Sequence, residues 1–184
     1  ACEKCNYEQV VSLVKQGADV NVSDDFFTPV LTLVCERGDI RIARFLIENQ
    51  ADVNANSFCY FTPLHAACRS GCVDLVKLLV DMGADINASR REGTWCLYDD
   101  YDSDLSIDSE PGIRYESLSD IGATPLHQAC ASGHVDIISY LVAHGAKTYA
   151  QDFFGETPLD HAPQEMKMAV SDAIERGNNW KMVE

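Results

Sequence analysis

The stretch Thr62-Pro63-Leu64-His65-Ala66-Ala67-Cys68-Arg69-Ser70-Gly71, continuing from Val73 to Gly83-Ala84-Asp85-Ile86-Asn87, decides how the rest of the chain is read. Thr62 is a residue that caps helices with its hydroxyl, and Pro63 suits the first helical position, where no amide donor is needed. Gly71 ends that helix in a left-handed conformation. A second helix follows, with a broad apolar face made by Val73, Leu75, Val76, Leu78, Leu79 and Val80, and Gly83 ends it in turn.

The pattern recurs on either side. Asn21, Asn54 and Asn87 fall 33 residues apart, as do Cys2, Cys35 and Cys68 and the pair Gly38 and Gly71. Thr124-Pro125-Leu126-His127-Gln128-Ala129-Cys130 opens another copy, and Thr157-Pro158-Leu159-Asp160 stands 33 residues beyond it. A T-P-L-H-x-A phrase on this period is the signature of ankyrin repeats, and the chain resembles that family over nearly its whole length. The resemblance implies an all-α ankyrin-repeat solenoid of helix-turn-helix units with β-hairpin fingers. Each unit buries its face on the next, so stability is spread along the stack.

On this register residues 1–177 form the repeat domain. The first repeat, 1–23, is partial, since Ala1 falls where Ala67 sits and the T-P-L-H half is missing. The next repeats are 24–56, 57–89 and 119–151, and 152–177 forms a cap with a polar outer face. In repeat two Thr28-Pro29 comes one residue early, which predicts a shifted or distorted helix start, with Thr32 in the place of His65. The tail, 178–184, is expected to be loose from Gly177 onward, with Trp180 able to dock.

Residues 90–118 are one long acidic insertion in the finger between repeats three and four. It carries Asp99, Asp100, Asp102, Asp104, Asp108, Glu110 and Glu116 among Trp95, Tyr98, Tyr101 and Tyr115. Asp100-x-Asp102-x-Asp104 comes close to a calcium-binding loop, but Leu105 replaces the turn glycine and Pro111 the bidentate glutamate. A solvated or partner-facing loop is the better reading.

Composition narrows the function. With 29 Asp+Glu against 14 Lys+Arg the formal charge is −15, which argues against nucleic acid or anionic membrane as partner. No apolar run is long enough to span a bilayer. Cys2, Cys35, Cys68 and Cys130 share one repeat position, so they lie on successive helices about 8–10 Å apart. A disulfide needs Cα atoms within about 7 Å, and structural zinc needs four converging ligands. They read as small buried hydrophobes, with no metal and no cofactor expected, although Cys2-Glu3-Lys4-Cys5 is formally a C-x-x-C. So many free thiols fit a reducing compartment, cytoplasm or nucleus. His65 and His127 recur with the repeat and read as bridges between backbone groups, not catalysts. No nucleophile and base are forced together, so no enzyme is expected.

The expected function is a non-catalytic protein–protein interaction module or scaffold, monomeric in isolation. It would bind a protein or peptide with a basic segment through the concave face and the fingers. The alternative is a regulatory or inhibitory subunit whose acidic insertion occupies the groove or a partner's active site. The finger tips are unusually aromatic, so the candidate partner-binding residues are Phe26, Phe58, Phe61, Phe153 and Phe154. Arg69 and Ser70 on an inner helix join them, with Trp95, Tyr98 and Tyr101 in the insertion. Asn21, Asn54 and Asn87 each follow Asp-Val or Asp-Ile, with a leucine eight residues earlier. They resemble the site at which ankyrin proteins are hydroxylated by an asparaginyl hydroxylase. A hairpin residue bonding local backbone is a sufficient reason for each.

Overall fold

The computed structural model describes residues 6–25, 27–57, 61–89 and 122–180. Among these residues, half of the eight α-helices begin at a capping side chain. Asn6 accepts a hydrogen bond from the Gln9 amide at 3.1 Å and starts α1 (Tyr7–Lys15). Asp39 accepts from the amides of Arg41 and Ile42 and starts α3 (Ile40–Glu48). Thr62 and Thr124 open α4 (Pro63–Ser70) and α6 (Pro125–Ala131) with proline at the first position. The remaining helices are α2 (Val30–Glu36), α5 (Val73–Asp81), α7 (Val135–Ala143) and α8 (Lys167–Trp180).

These helices stack in two rows. α2, α4 and α6 pack successively as the inner row, while α1, α3, α5, α7 and α8 form the outer row. Each repeat places the same residues in the core. Leu31, Leu64 and Leu126 are buried, as are Cys35, Cys68 and Cys130, and Leu46, Leu79 and Leu141 on the outer row. Burying one such leucine contributes roughly 1.5–3 kcal/mol, against about 1 kcal/mol for a hydrogen bond. Apolar contact therefore carries the stack, and polar groups set its register.

Two histidines show how. The ring Nδ1 of His65 accepts from the Thr62 amide at 3.2 Å and lies 2.9 Å from the Thr62 hydroxyl. Since Nδ1 accepts, the proton sits on Nε2, which donates to the Ala123 carbonyl of the next repeat at 3.1 Å. His127 does the same with Thr124 and the Glu156 carbonyl. In the fifth repeat Asp160 takes over the local half, accepting from the Thr157 amide and hydroxyl. The bonds from His65 to Ala123 and from Asn87 to Gly145 both span 58 positions, and α4 packs on α6. The stack is thus continuous across residues 90–121.

The irregular repeats differ from expectation. In repeat two the helix start is not shifted: Val30 stands one period before Pro63. The finger before it keeps its full length, with Phe27 at φ 58° near its end. What is lost is the cap, because Pro29 takes the N-cap position and makes no side-chain bond. Thr32, in the place of His65, is buried and its hydroxyl has no hydrogen-bond partner. In repeat five the inner helix is reduced to turns from Thr157 to Asp160 and from Leu159 to Ala162. Pro163 lies where that helix would continue and cannot donate to it, and it disfavours helix in the residue before.

The C-terminal segment also corrects the expectation. Gly177 does not end a helix but lies buried within α8. A Cβ there would stand 2.6 Å from Val142 Cβ and 2.7 Å from the Ser139 carbonyl oxygen. It is the close-approach point of α8 on α7. The helix runs on to Trp180, which is exposed rather than docked. Among the described residues the fingers are turns, with one isolated bridge between Ser23 and Pro29. The acidic insertion lies outside the described residues.

Thr32→Val keeps the volume and removes the orphan hydroxyl, so it should stabilise the protein by about 1 kcal/mol in urea unfolding. Acid should do the opposite through the histidines. Burial lowers the His65 pKa to about 4 against an ordinary value of 6.5, and burial lowers that of His127 too. Below pH 6.5 the unfolded chain takes up protons that the folded chain refuses. Their contribution is complete above pH 6.5 and is lost as pH falls towards 4, on the order of 3 kcal/mol for His65. The urea midpoint of wild type should therefore fall more steeply over this window than that of His65→Gln, which shares the general relief of acidic repulsion.

Candidate protein-recognition surface

Finger five shows why its aromatic tip is exposed. Asp152 Oδ1 accepts from the amides of Phe154 and Glu156, both at 2.9 Å. The Asp152 amide donates to the Glu156 carbonyl, and the Gly155 amide to the Asp152 carbonyl. Gly155, at φ 78°, supplies the left-handed step that closes the turn. With the backbone bonded inward, Phe153 and Phe154 are thrown outward, 71% and 55% exposed. Their rings meet edge to face at a centroid distance of 5.4 Å.

Finger two is the same device at the same length. Asp24 Oδ1 accepts from the Thr28 amide at 2.8 Å, and the Asp24 amide donates to the Thr28 carbonyl. Here Phe27 occupies the left-handed step that Gly155 takes in finger five, and it is 67% exposed. A bulky residue there costs roughly 1–2 kcal/mol relative to glycine.

Not every candidate lies on this ridge. Phe61 was expected on it but is 5% exposed. Its ring lies 5.2 Å from that of His65 and under the guanidinium of Arg69, at 4.5 Å. Arg69 also pairs with Glu36 across repeats two and three. Arg69 is therefore a clamp between the inner helices α2 and α4, with its guanidinium partly exposed. Ser70 is exposed, and its hydroxyl donates to the Ala67 carbonyl at 3.0 Å. Phe26, Phe58, Trp95, Tyr98 and Tyr101 lie outside the described residues.

The asparagines form a ladder. Asn21 donates to the Gln50 carbonyl and accepts from the Asp52 amide. Asn54 does this with Gly83 and Asp85, and Asn87 with Gly145 and Lys147. Asp19, Asp52 and Asp85 in turn accept from the amides of Asn21, Asn54 and Asn87. Both ends of each amide are engaged, which is reason enough for asparagine at each position. At the next register position stands Tyr149, exposed and outside the ladder, a surface aromatic that the repeat pattern alone did not single out.

Burial raises the thiols of Cys35 and Cys68 far above their ordinary range and that of Cys130 up to about 12. With Cys72 they are free, and the three buried ones are packing groups. No helix among the described residues is long and apolar enough to cross a membrane.

A family model described as ankyrin repeats (3 copies) matches residues 1–90 and 105–170 of the chain. The gap between the two matched stretches falls inside the acidic insertion.

The ladder can be tested against its own terminus. Asn54→Ala removes two bonds between neighbouring repeats and should cost about 1–2 kcal/mol in urea unfolding. Tyr149→Ala, at the same register position, should change stability by less than about 0.5 kcal/mol.

Proposed function

Because the chain belongs to the ankyrin-repeat family, whose repeats generally mediate protein–protein interaction, we propose that it is a non-catalytic recognition module for a basic protein or peptide segment. The finger tips and the concave inner-helix face take the segment, with Phe153 and Phe154 as anchors and Phe27 as a further contact. The observation that carries this reading is the capped turn of finger five, which spends its hydrogen bonds holding two phenylalanines out in water. Exposed rings on a rigid support lose little freedom on binding, so most of their burial is realised as affinity. The net charge of −15 steers a basic partner and repels acidic ones. The carboxylates of the insertion, with Trp95, Tyr98 and Tyr101 among them, extend that acidic and aromatic surface. Free thiols fit a reducing compartment as its place of work.

The test is binding kinetics on the partner recovered by affinity pull-down with the whole chain. Phe154→Ala should weaken binding by at least about tenfold through faster dissociation. Neutralising Asp99, Asp100, Asp102 and Asp104 together should slow association and flatten its salt dependence. Binding unchanged in Phe153→Ala and Phe154→Ala but abolished by Lys77→Glu on the outer row would place the interface on the opposite face. An acidic partner whose association speeds up with salt would overturn the steering.

A further inference from the structure

We propose that Asp152, Glu156 and His161 form a binding site for a divalent transition-metal ion, Zn²⁺ by its donor chemistry. Asp152 Oδ2 lies 2.8 Å from His161 Nε2, and Glu156 Oε2 lies 3.6 Å from the same nitrogen. One donor atom from each residue falls within 4.8 Å of the others. Zinc bonds of about 2.0–2.2 Å at a tetrahedral angle set their donors roughly 3.4 Å apart. These two separations bracket that value. A zinc ion in place of the proton now shared by Asp152 and His161 requires that pair to open by about half an ångström.

The repeats supply the control. Glu156 corresponds to Ala123 in repeat four and Phe61 in repeat three; His161 corresponds to Gln128 and Ala66. No other repeat carries a ligating side chain at either position, and finger two closes its turn on Asp24 with no histidine. The fold therefore needs the aspartate but neither of its companions. A hydrogen bond between Asp152 and His161 accounts for two of the three groups. It leaves unexplained a glutamate whose carboxylate stands beyond hydrogen-bond distance from the same nitrogen, at the spacing of two ligands on one ion.

The environment suits a metal. Asp152 is buried, and two backbone amides fix its other oxygen, which orients the carboxylate before any ion arrives. The His161 ring is held edge to face against His127 at 5.0 Å. Glu156 is exposed, so the remaining side of the site opens to water, which supplies the fourth ligand of a three-residue zinc site. One imidazole among the donors favours zinc over calcium or magnesium, which take oxygen ligands. For zinc to bind Nε2, the proton there moves to Nδ1 or leaves to solvent. The ligands flank Phe153 and Phe154, so the ion would stiffen the aromatic tip. That consequence rests on the recognition reading above, and the metal site does not.

The experiment uses the whole chain, stripped with chelator, returned to chelator-free reducing buffer, and titrated with Zn²⁺ and with Co²⁺. Wild type should bind one equivalent of Zn²⁺ that Mg²⁺ does not displace. Its Co²⁺ spectrum should lack a thiolate-to-metal charge-transfer band, which separates this site from the cysteines. Glu156→Gln should weaken Zn²⁺ at least tenfold, His161→Gln should abolish the equivalent, and Glu165→Gln should leave it unchanged. Glu156 is exposed, so its variant should melt like wild type without metal and decides the matter even if His161→Gln fails to fold. Equal Zn²⁺ binding by wild type and Glu156→Gln, a thiolate band, or no equivalent at all overturns the site. None of these outcomes depends on a partner, so the metal site and the recognition reading fail separately.

Discussion

The inner helices α4 and α6 each begin with a side chain that satisfies the first turn and also reaches the next repeat. A neutral histidine meets both demands, since one ring nitrogen accepts while the other donates. His65 and His127 hold Thr62 and Thr124 on one side and the carbonyls of Ala123 and Glu156 on the other. Most of the energy lies elsewhere, in leucines and isoleucines that are wholly buried. Apolar faces can slide on one another at small cost, whereas a buried carbonyl left unpaired costs about 1–3 kcal/mol. The histidine bonds therefore decide which register of an otherwise greasy stack is realised, and the asparagine ladder repeats that decision at the other end of each unit. Repeats two and five, which lack the histidine, are also the two whose local geometry departs from the pattern.

That division of labour explains what the sequence made legible. The period, the caps and the core positions are local features repeated in the chain, so the family, the helix pairs and the buried cysteines could be read in advance. The start of α2 could not. Thr28-Pro29 reads as a helix opening one residue early, but Leu31, Val34 and Cys35 hold the register of the core, so α2 starts in step at Val30 and Pro29 is left at the N-cap. Gly177 was ambiguous for a related reason: glycine marks either a helix end or a place where two backbones meet. Only the position of α7 shows which.

The candidate surface was legible in part. Phe153 and Phe154 stand where a finger tip was expected, and the cap on Asp152 explains why they face water. Phe61 was grouped with them as a finger aromatic, yet Arg69 and His65 cover it. Whether an aromatic at a finger base points out or in depends on what the inner helix offers it, and an arginine tied to Glu36 offers a flat cationic lid. The cluster of Asp152, Glu156 and His161 escaped notice because its members belong to no shared motif. The available signal was negative: two ligating side chains at positions where the other repeats carry none.

The repeats on either side of the acidic insertion are joined directly, through His65 to Ala123 and Asn87 to Gly145. Loop length adds to the cost of closure only logarithmically, so the length of sequence between them can vary at small cost to the stack. The finger of repeat five is under the opposite constraint. Its turn is fixed by Asp152, its carbonyl at Glu156 receives His127, and its base continues into the cap over α7. A change at Asp152 is therefore felt both at the aromatic tip and, through the Glu156 backbone, at the last inter-repeat bond. The same few residues that present Phe153 and Phe154 also terminate the stack, so altering what this finger binds and altering how firmly the solenoid ends are coupled problems.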